Sequence, residues 1–187
     1  MNVADSQHEL RPELGSGERV LWSGMPKQGL RLHWADGFII PFIVIWMAIP
    51  LFGATATLKN GKGIGEVVFF LPFLLIGGYM LIGRYIVDAK HRARTFYGVT
   101  NQRILIVVAA RSRRTTSLWL KSLTDVTFTE HRDGKGTIQF GSDRWPGAAA
   151  LGAGWPGMSQ YVAPRFDLGA DARRVYELIK KAQAETS

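Results

Sequence analysis

Side chains capable of catalysis are scattered along this chain of 187 residues rather than gathered in a familiar spacing. The four histidines are widely separated and show no HExxH or other metal-ligand pattern. Ser23 and Ser142 lie outside any Gly-x-Ser-x-Gly elbow, and the sequence has no cysteine to serve as a nucleophile or metal ligand. Asp125, Asp133 and Asp143 are carboxylates of a kind that commonly occupies turns. We therefore expect no enzyme activity, no metal site and no cofactor.

Three neighbouring arginines, Arg111, Arg113 and Arg114, are the sharpest candidate for a binding site. A guanidinium group can bind two phosphate or carboxylate oxygens at once. Two interpretations remain open: the cluster contacts anionic headgroups or an acidic partner protein, or it is the solvated tip of a hairpin. No aromatic side chain interleaves the cluster, so we expect no nucleic-acid partner.

Four further cations, Arg84, Lys90, Arg92 and Arg94, lie at the end of the second of two apolar stretches. Beside anionic lipid, each cation of such a basic collar contributes about 1 kcal/mol to membrane binding. The alternative interpretation is that these residues only retain this side of the chain in the cytoplasm.

The two apolar stretches predict a hairpin of transmembrane helices within residues 37–88. Residues 38–58 carry no charge over about 21 positions, enough at about 1.5 Å per residue to cross a hydrocarbon core of about 30 Å. Residues 67–87 are equally long and are interrupted only by Arg84, which is close enough to the end to reach the headgroups. The short connection 59–66 makes the helices antiparallel. Two core helices of a soluble domain are the alternative, and so small a chain could hardly bury them.

Individual residues refine the hairpin. Asp36 is placed to cap the first helix. Gly77, Gly78 and Gly83 offer positions at which the first helix can approach the second closely.

The distribution of basic residues predicts the orientation of the hairpin. The net charge of +8 and the pI of about 10.0 fit nucleic acid, anionic lipid or cytoplasmic loops equally, so the positions of the charges decide. Seven Lys and Arg residues flank the outer ends of the predicted helices, whereas two lie in the connection. Because cytoplasmic loops are enriched in Lys and Arg, both termini should face the cytoplasm.

The rest of the chain predicts a soluble domain over residues 95–184. Its segments alternate with the period of two that is typical of strands, Asp133-Gly134 is a hairpin signal, and residues 171–184 form an amphipathic helix. Residues 1–17 show no sustained period and predict a flexible terminus, and residues 18–36 predict a short extended segment. The expected fold class is α+β: a transmembrane hairpin and an antiparallel barrel or sandwich capped by a C-terminal helix.

The segment Tyr97-Gly98-Val99-Thr100-Asn101-Gln102-Arg103-Ile104-Leu105 resembles the signature of bacterial pleckstrin-homology (PH) domains. Many members of that family carry two membrane helices directly before the signature, often after a segment similar to residues 20–26 of this chain. The resemblance implies a PH-like fold and a multi-pass protein of the bacterial cytoplasmic (inner) membrane. In many eukaryotic PH domains a basic loop between strands binds phosphoinositides, which makes the three arginines the corresponding candidate here.

Two functions fit these observations. The first is a non-catalytic, membrane-anchored PH-like domain that serves as a scaffold for protein or anionic lipid at the cytoplasmic face, with a protein partner or a second copy of itself. The alternative is an accessory subunit of a membrane enzyme or export complex that acts through its helices. Residues 142–163, rich in Gly and Pro, have no predicted role; Trp145 and Trp155 within them either reach the membrane interface or a partner, or pack across an open end of the barrel.

Overall fold

The computed structural model describes residues 3–29, 32–61, 64–110, 112–130, 135–145, 147, 155 and 160–186. Helices account for the N-terminus, the apolar stretches and the C-terminus, and strands account for most of the remainder. The helical elements are α1 (Val3–Leu10), a 3-10 turn (Arg11–Glu13), α2 (Asp36–Lys59), α3 (Ile64–Gly78), a π-helical segment (Tyr79–Gly83), α4 (Arg84–Ala93), a second 3-10 turn (Leu120–Ser122) and α5 (Ala172–Thr186). The strands are β1 (Val20–Gly24), β2 (Thr95–Thr100), β3 (Arg103–Ala109), β4 (Arg113–Trp119), β5 (Val126–Glu130), β6 (Gly136–Phe140) and β7 (Arg165–Leu168).

The strands form two antiparallel sheets, one in the order β1-β2-β3-β4 and one in the order β5-β6-β7. The α+β class is therefore confirmed, whereas a closed barrel is wrong, because β4 and β5 belong to different sheets. Tyr97, Ile104, Phe140 and Phe166, from both sheets, share one buried core. A sandwich describes this arrangement better than a barrel.

The predicted amphipathic helix closes that core. Ala172, Val175, Ile179 and Ala182 of α5 recur at spacings of three and four and are all buried in it. This is the face that the sequence pattern indicated.

Strand β1 precedes the apolar helices in the chain, yet it pairs with β2, which follows them. Trp22 of β1 packs against the shared core, with its ring 6.0 Å from that of Phe166. The domain that contains the sheets therefore draws on residues 1–29, 89–146 and 160–187, and residues 30–88 are an insertion between two paired strands. The predicted boundary at residue 95 omits β1.

The N-terminus differs from the flexible segment that the sequence predicted. Helix α1 packs on the four-stranded sheet, where Leu10 is fully buried with Phe96, Leu105 and Val107. A Cβ on Gly98 would lie 2.8 Å from Leu10 Cδ1, so the glycine of β2 admits the leucine. Gly98 thus serves close packing within strand β2.

The two apolar stretches form two helices long and apolar enough to cross a membrane, Asp36–Lys59 and Val67–Ala93. Only 17% and 11% of their most apolar windows are buried within the structure. They pair antiparallel: Gly53 lies against the ring of Phe70, and Gly77 lies against Met47. The close approach predicted at Gly77 is confirmed, while Gly53 takes a role that the sequence did not indicate.

Candidate functional site

The arginine cluster is partly neutralised within the chain. Arg113 Nε donates to Glu13 Oε1 at 2.8 Å, its Nη1 donates to Glu9 Oε2 at 3.0 Å, and its Nη2 donates to the carbonyl of Glu9. These hydrogen bonds, above all the one that Arg113 donates to Glu13, raise the pKa of Arg113. Arg114 is exposed on β4, and Arg111 lies outside the described residues. A ligand at this cluster would meet Arg114 first, because Arg113 already serves two carboxylates.

A second ion pair fastens the N-terminal segment to the sheet. Arg103 donates through Nε and Nη2 to both oxygens of Glu18, each at 2.9 Å, and Thr100 Oγ1 donates to the same carboxylate at 2.7 Å. Burial alone would raise the pKa of Glu18, but the hydrogen bonds from Arg103, the Gly15 N–H and Thr100 outweigh it and hold the pKa below its ordinary value. Arg103 is one of the seven Lys and Arg residues on which the predicted orientation depends, and it has a structural partner in Glu18.

The four residues of the basic collar do not form one surface. Lys90 and Arg94 are exposed at the C-terminal end of α4 and just beyond it. Arg92 is half-buried and donates through Nη2 to the carbonyl of Gly29 at 2.7 Å. Arg84 is 3% exposed, so the prediction that its side chain extends toward the headgroups is wrong.

Arg84 belongs to a buried ion pair between the two apolar helices. Its Nη2 donates to Asp36 Oδ1 at 2.6 Å and approaches Tyr85 Oη at 2.7 Å. The other oxygen of Asp36 accepts from the His33 backbone N–H at 2.7 Å. Asp36 is thus the first residue of α2, after an N-cap at Ala35, and its carboxylate serves Arg84 rather than acting as the predicted cap.

A cavity of about 330 Å³ lies beside this pair. Its walls come from one face of α2, from the end of α3, from the π-helical segment and from one residue of the 142–163 stretch, namely Ile39, Phe42, Ile43, Trp46, Ile76, Gly77, Met80 and Trp155. Every one of these residues is apolar or aromatic. π-helical segments are rare and frequently occur at functional sites. This one begins at Tyr79, two residues after the wall residue Gly77.

Trp155 connects the cavity with the ion pair. Its ring lines the cavity and lies 5.1 Å from the guanidinium carbon of Arg84, which also lies 4.6 Å from the ring of Tyr85. Neither Trp155 Nε1 nor Arg84 Nε, both buried, has an acceptor among the described residues. A buried donor without an acceptor costs about 1–3 kcal/mol, so each of these N–H groups destabilises the hairpin relative to a paired one.

This second site was missed at the sequence level, although a signal was present. Arg84 is the one charge inside the second apolar stretch, and Asp36 directly precedes the first. In an antiparallel hairpin the start of one helix lies beside the end of the other, so the sequence already indicates an ion pair between Asp36 and Arg84. Trp155, by contrast, comes from a stretch with no pattern, and its place beside the helices could not be derived.

The remaining candidates have structural partners or lie outside the described residues. Asp143 Oδ1 accepts from the Ala163 N–H at 2.8 Å, and the carbonyl of Asp125 accepts from the Gly141 N–H at 2.8 Å. Asp133 and its hairpin lie outside the described residues. The part of the chain that is described holds no group of three or more His, Asp or Glu side chains placed for a metal.

No protein-family model and no curated protein matches this chain. One solved structure similar to it is the crystal structure of a DUF1696 family protein with a pleckstrin-homology domain from Shewanella loihica. The alignment covers 99% of this chain and 92% of that chain, at a TM-score of 0.40 and 12% sequence identity. A similarity of this size carries no argument about residues or function.

Proposed function

We propose that the chain is a non-catalytic, membrane-anchored PH-like domain that binds a protein or anionic lipid at the cytoplasmic face. The observation that carries the proposal is the exposure of the two apolar helices, since only 17% and 11% of their most apolar windows are buried. Helices in the core of a soluble protein are mostly buried, whereas these present rows of large side chains outward, among them Phe38, Ile45, Ile49, Phe52 and Leu75, each at least 69% exposed. Lipid is the cover that such surfaces fit.

The connectivity supports the placement of the sheets on one side of the membrane. Strand β1 leads into the first apolar helix, and the strand that follows the second helix, β2, pairs with β1. Two paired strands must lie in the same compartment, so the insertion between them crosses the membrane an even number of times. A two-helix hairpin with Lys90 and Arg94 at its domain end satisfies both this condition and the positive-inside rule.

The binding role is supported by cations that the fold leaves exposed. Arg114 lies on the edge strand β4, three positions after Arg111, and it has no acidic partner among the described residues. A carboxylate or phosphate could pair with Arg114 there, as the carboxylates of Glu9 and Glu13 pair with Arg113. An accessory subunit that acts through its helices remains the second candidate, since their outer faces fit another apolar helix as well as lipid.

Anchoring is tested by washing membranes from expressing cells with alkaline carbonate. The full chain should remain in the pellet, as integral proteins do. Release into the supernatant would contradict anchoring.

The binding site is tested by crosslinking and affinity purification of the full chain from membranes. The double variant Arg111→Ala, Arg114→Ala should lose the associated protein or anionic lipid, and Arg113 is left in place because it holds Glu9 and Glu13. The matched control, Lys180→Ala with Lys181→Ala, removes two exposed cations from α5. Equal recovery with both double variants would rule out the arginine cluster as the site.

A further inference from the structure

Strand β4 leaves one edge of the four-stranded sheet without a partner strand among the described residues. We propose that this edge binds an extended acidic segment of a partner protein, which adds a further antiparallel strand and places a carboxylate opposite Arg114. The inference rests on the binding function proposed above. It specifies that the ligand is a protein, and that backbone groups of β4 hold it together with the arginine.

The pairing of β3 with β4 determines which backbone groups point out of the sheet. One position beyond the end of β4, the Leu120 N–H donates to the Gln102 carbonyl at 3.0 Å, in the same register as the strands. Hydrogen bonds between antiparallel strands involve alternate residues, so the even-numbered residues of β4 bond to β3. The N–H and C=O groups of Arg113, Thr115 and Ser117 therefore point away from the sheet. They have no hydrogen-bond partner among the described residues.

The edge is long and regular, which makes it a template for another strand. All seven residues of β4 pair with β3 without a break in register, and none of the seven is buried or a proline. The opposite edge strand, β1, has five residues and a break in register between Val20 and Trp22, an irregularity that commonly protects sheet edges from pairing. The free edge of β4 ends at Trp119, whose carbonyl accepts from Ser122 Oγ at 3.0 Å.

The charge of this edge favours an acidic partner. Arg114 is exposed and has no acidic partner among the described residues. On the other face of β4, Arg113 already binds the carboxylates of Glu9 and Glu13, so this end of the strand accommodates acidic side chains. A second copy of β4 would bring two more arginines and no carboxylate to the edge. A different chain therefore fits it better.

Leu118 indicates a second feature of the partner. It lies four residues after Arg114, so the two side chains are on the same face of β4, and it is only half-buried. An antiparallel strand would set one residue opposite Leu118 and, four positions later in its own sequence, another opposite Arg114. We expect an apolar, β-branched residue at the first position and Asp or Glu at the second.

The probe is the peptide Thr-Val-Thr-Val-Thr-Glu-Thr, with fluorescein at its N-terminus and an amidated C-terminus. In antiparallel register it runs from Trp119 to Arg113 and sets its glutamate opposite Arg114. Its Kd for the full chain in uncharged detergent is measured by fluorescence anisotropy. N-methylation of the third and fifth residues removes N–H groups that face β4 and should raise the Kd about tenfold or more. N-methylation of the second and fourth residues, whose N–H groups face away, is the matched control and should change the Kd less than about twofold.

The charge pair is tested by reversing both partners. Arg114→Glu should raise the Kd of the peptide about fivefold or more, because a like-charge pair replaces the ion pair. A peptide with lysine in place of its glutamate should restore binding to this variant. Arg174→Glu reverses another exposed cation, on α5, and should leave the Kd unchanged. Circular dichroism confirms that both variants keep the fold before their Kd values are compared.

Three results would overturn the inference. The first is no binding of the unmodified peptide at about 1 mM. The second is an equal effect of the two N-methylation patterns, which would mean that the arginine binds a side chain without the addition of a strand. The third is an unchanged Kd for Arg114→Glu. If protein or lipid still copurifies from membranes in a manner that depends on Arg111 and Arg114, the proposed binding function stands without the added strand.

Discussion

Removing the positive partner of the buried ion pair should destabilise the helical hairpin severely. Arg84 and Asp36 are 3% and 2% exposed, and their charged atoms lie 2.6 Å apart. The variant Arg84→Gln leaves the Asp36 carboxylate buried without its counter-ion, which typically costs about 3–5 kcal/mol. For a chain of this length about 1 kcal/mol lowers Tm by roughly 2–4 °C, so we expect a decrease of about 10 °C.

The assay is thermal unfolding of the full chain in detergent, followed by the fluorescence of its tryptophans. The double variant Asp36→Asn, Arg84→Gln removes both charges and should recover most of the lost stability, because no unpaired charge stays buried. Arg94→Gln changes an exposed cation of the same collar and should shift the free energy of unfolding by no more than about 0.5 kcal/mol. The reasoning is refuted if Arg84→Gln behaves like Arg94→Gln, or if the double variant is no more stable than the single one.

Three further predictions concern packing, pH and the domain boundary. A side chain on Gly77 would overlap Met47, whereas one on Gly78 meets open space. Gly77→Leu should therefore lower the free energy of unfolding in detergent by about 1–3 kcal/mol, and Gly78→Leu should lower it much less. Equal effects would contradict the close approach of the helices. The pKa of Glu18 in the folded protein lies below its ordinary value of 4.5, so its ion pair stabilises the fold above pH 4.5 and loses this effect as the pH falls through the folded pKa. The difference in Tm between wild type and Glu18→Gln should therefore shrink from neutral pH toward about pH 3. A constant difference would be contrary evidence. A fragment of residues 95–187 lacks β1 and should give no cooperative unfolding transition, and a sharp transition would show that β1 is dispensable.

Much of the sandwich could be derived from the sequence because its elements carry local signals. Strands β6 and β7 bury alternate residues, which is the period of two that the sequence indicated, and the four apolar residues of α5 are all buried. The two apolar helices followed from uncharged length alone. In each of these cases the pattern that identifies the element is the pattern that its burial requires.

The features that the sequence did not indicate depend on contacts between distant residues. Leu10 anchors α1 because Gly98, far along the chain, leaves room for it. Strand β1 has only five residues, too few for its sequence to indicate a sheet, and its partner β2 follows an insertion of two helices. Arg84 was interpreted from its neighbours as a residue that reaches the headgroups, and only the facing Asp36 makes it a buried partner.

The candidate site was only partly predictable for the same reason. The arginine cluster is identified by composition. The acidic side chains that pair with Arg113, however, are Glu9 of α1 and Glu13 of the following 3-10 turn, and both belong to a segment with no expected structure. The cavity could not be derived, since it needs a helix pairing, a π-helical segment and Trp155 from a stretch without periodicity.

The proposed topology can be measured directly because the chain contains no cysteine. Single cysteines are placed at Asn60, exposed in the connection between α2 and α3, and at Lys180, exposed on α5. A membrane-impermeant maleimide applied to spheroplasts should label Asn60→Cys and should label Lys180→Cys only after lysis. Two results would contradict a membrane-crossing hairpin that holds the domain in the cytoplasm. One is labelling of Lys180→Cys before lysis. The other is labelling of neither cysteine in spheroplasts and of both after lysis.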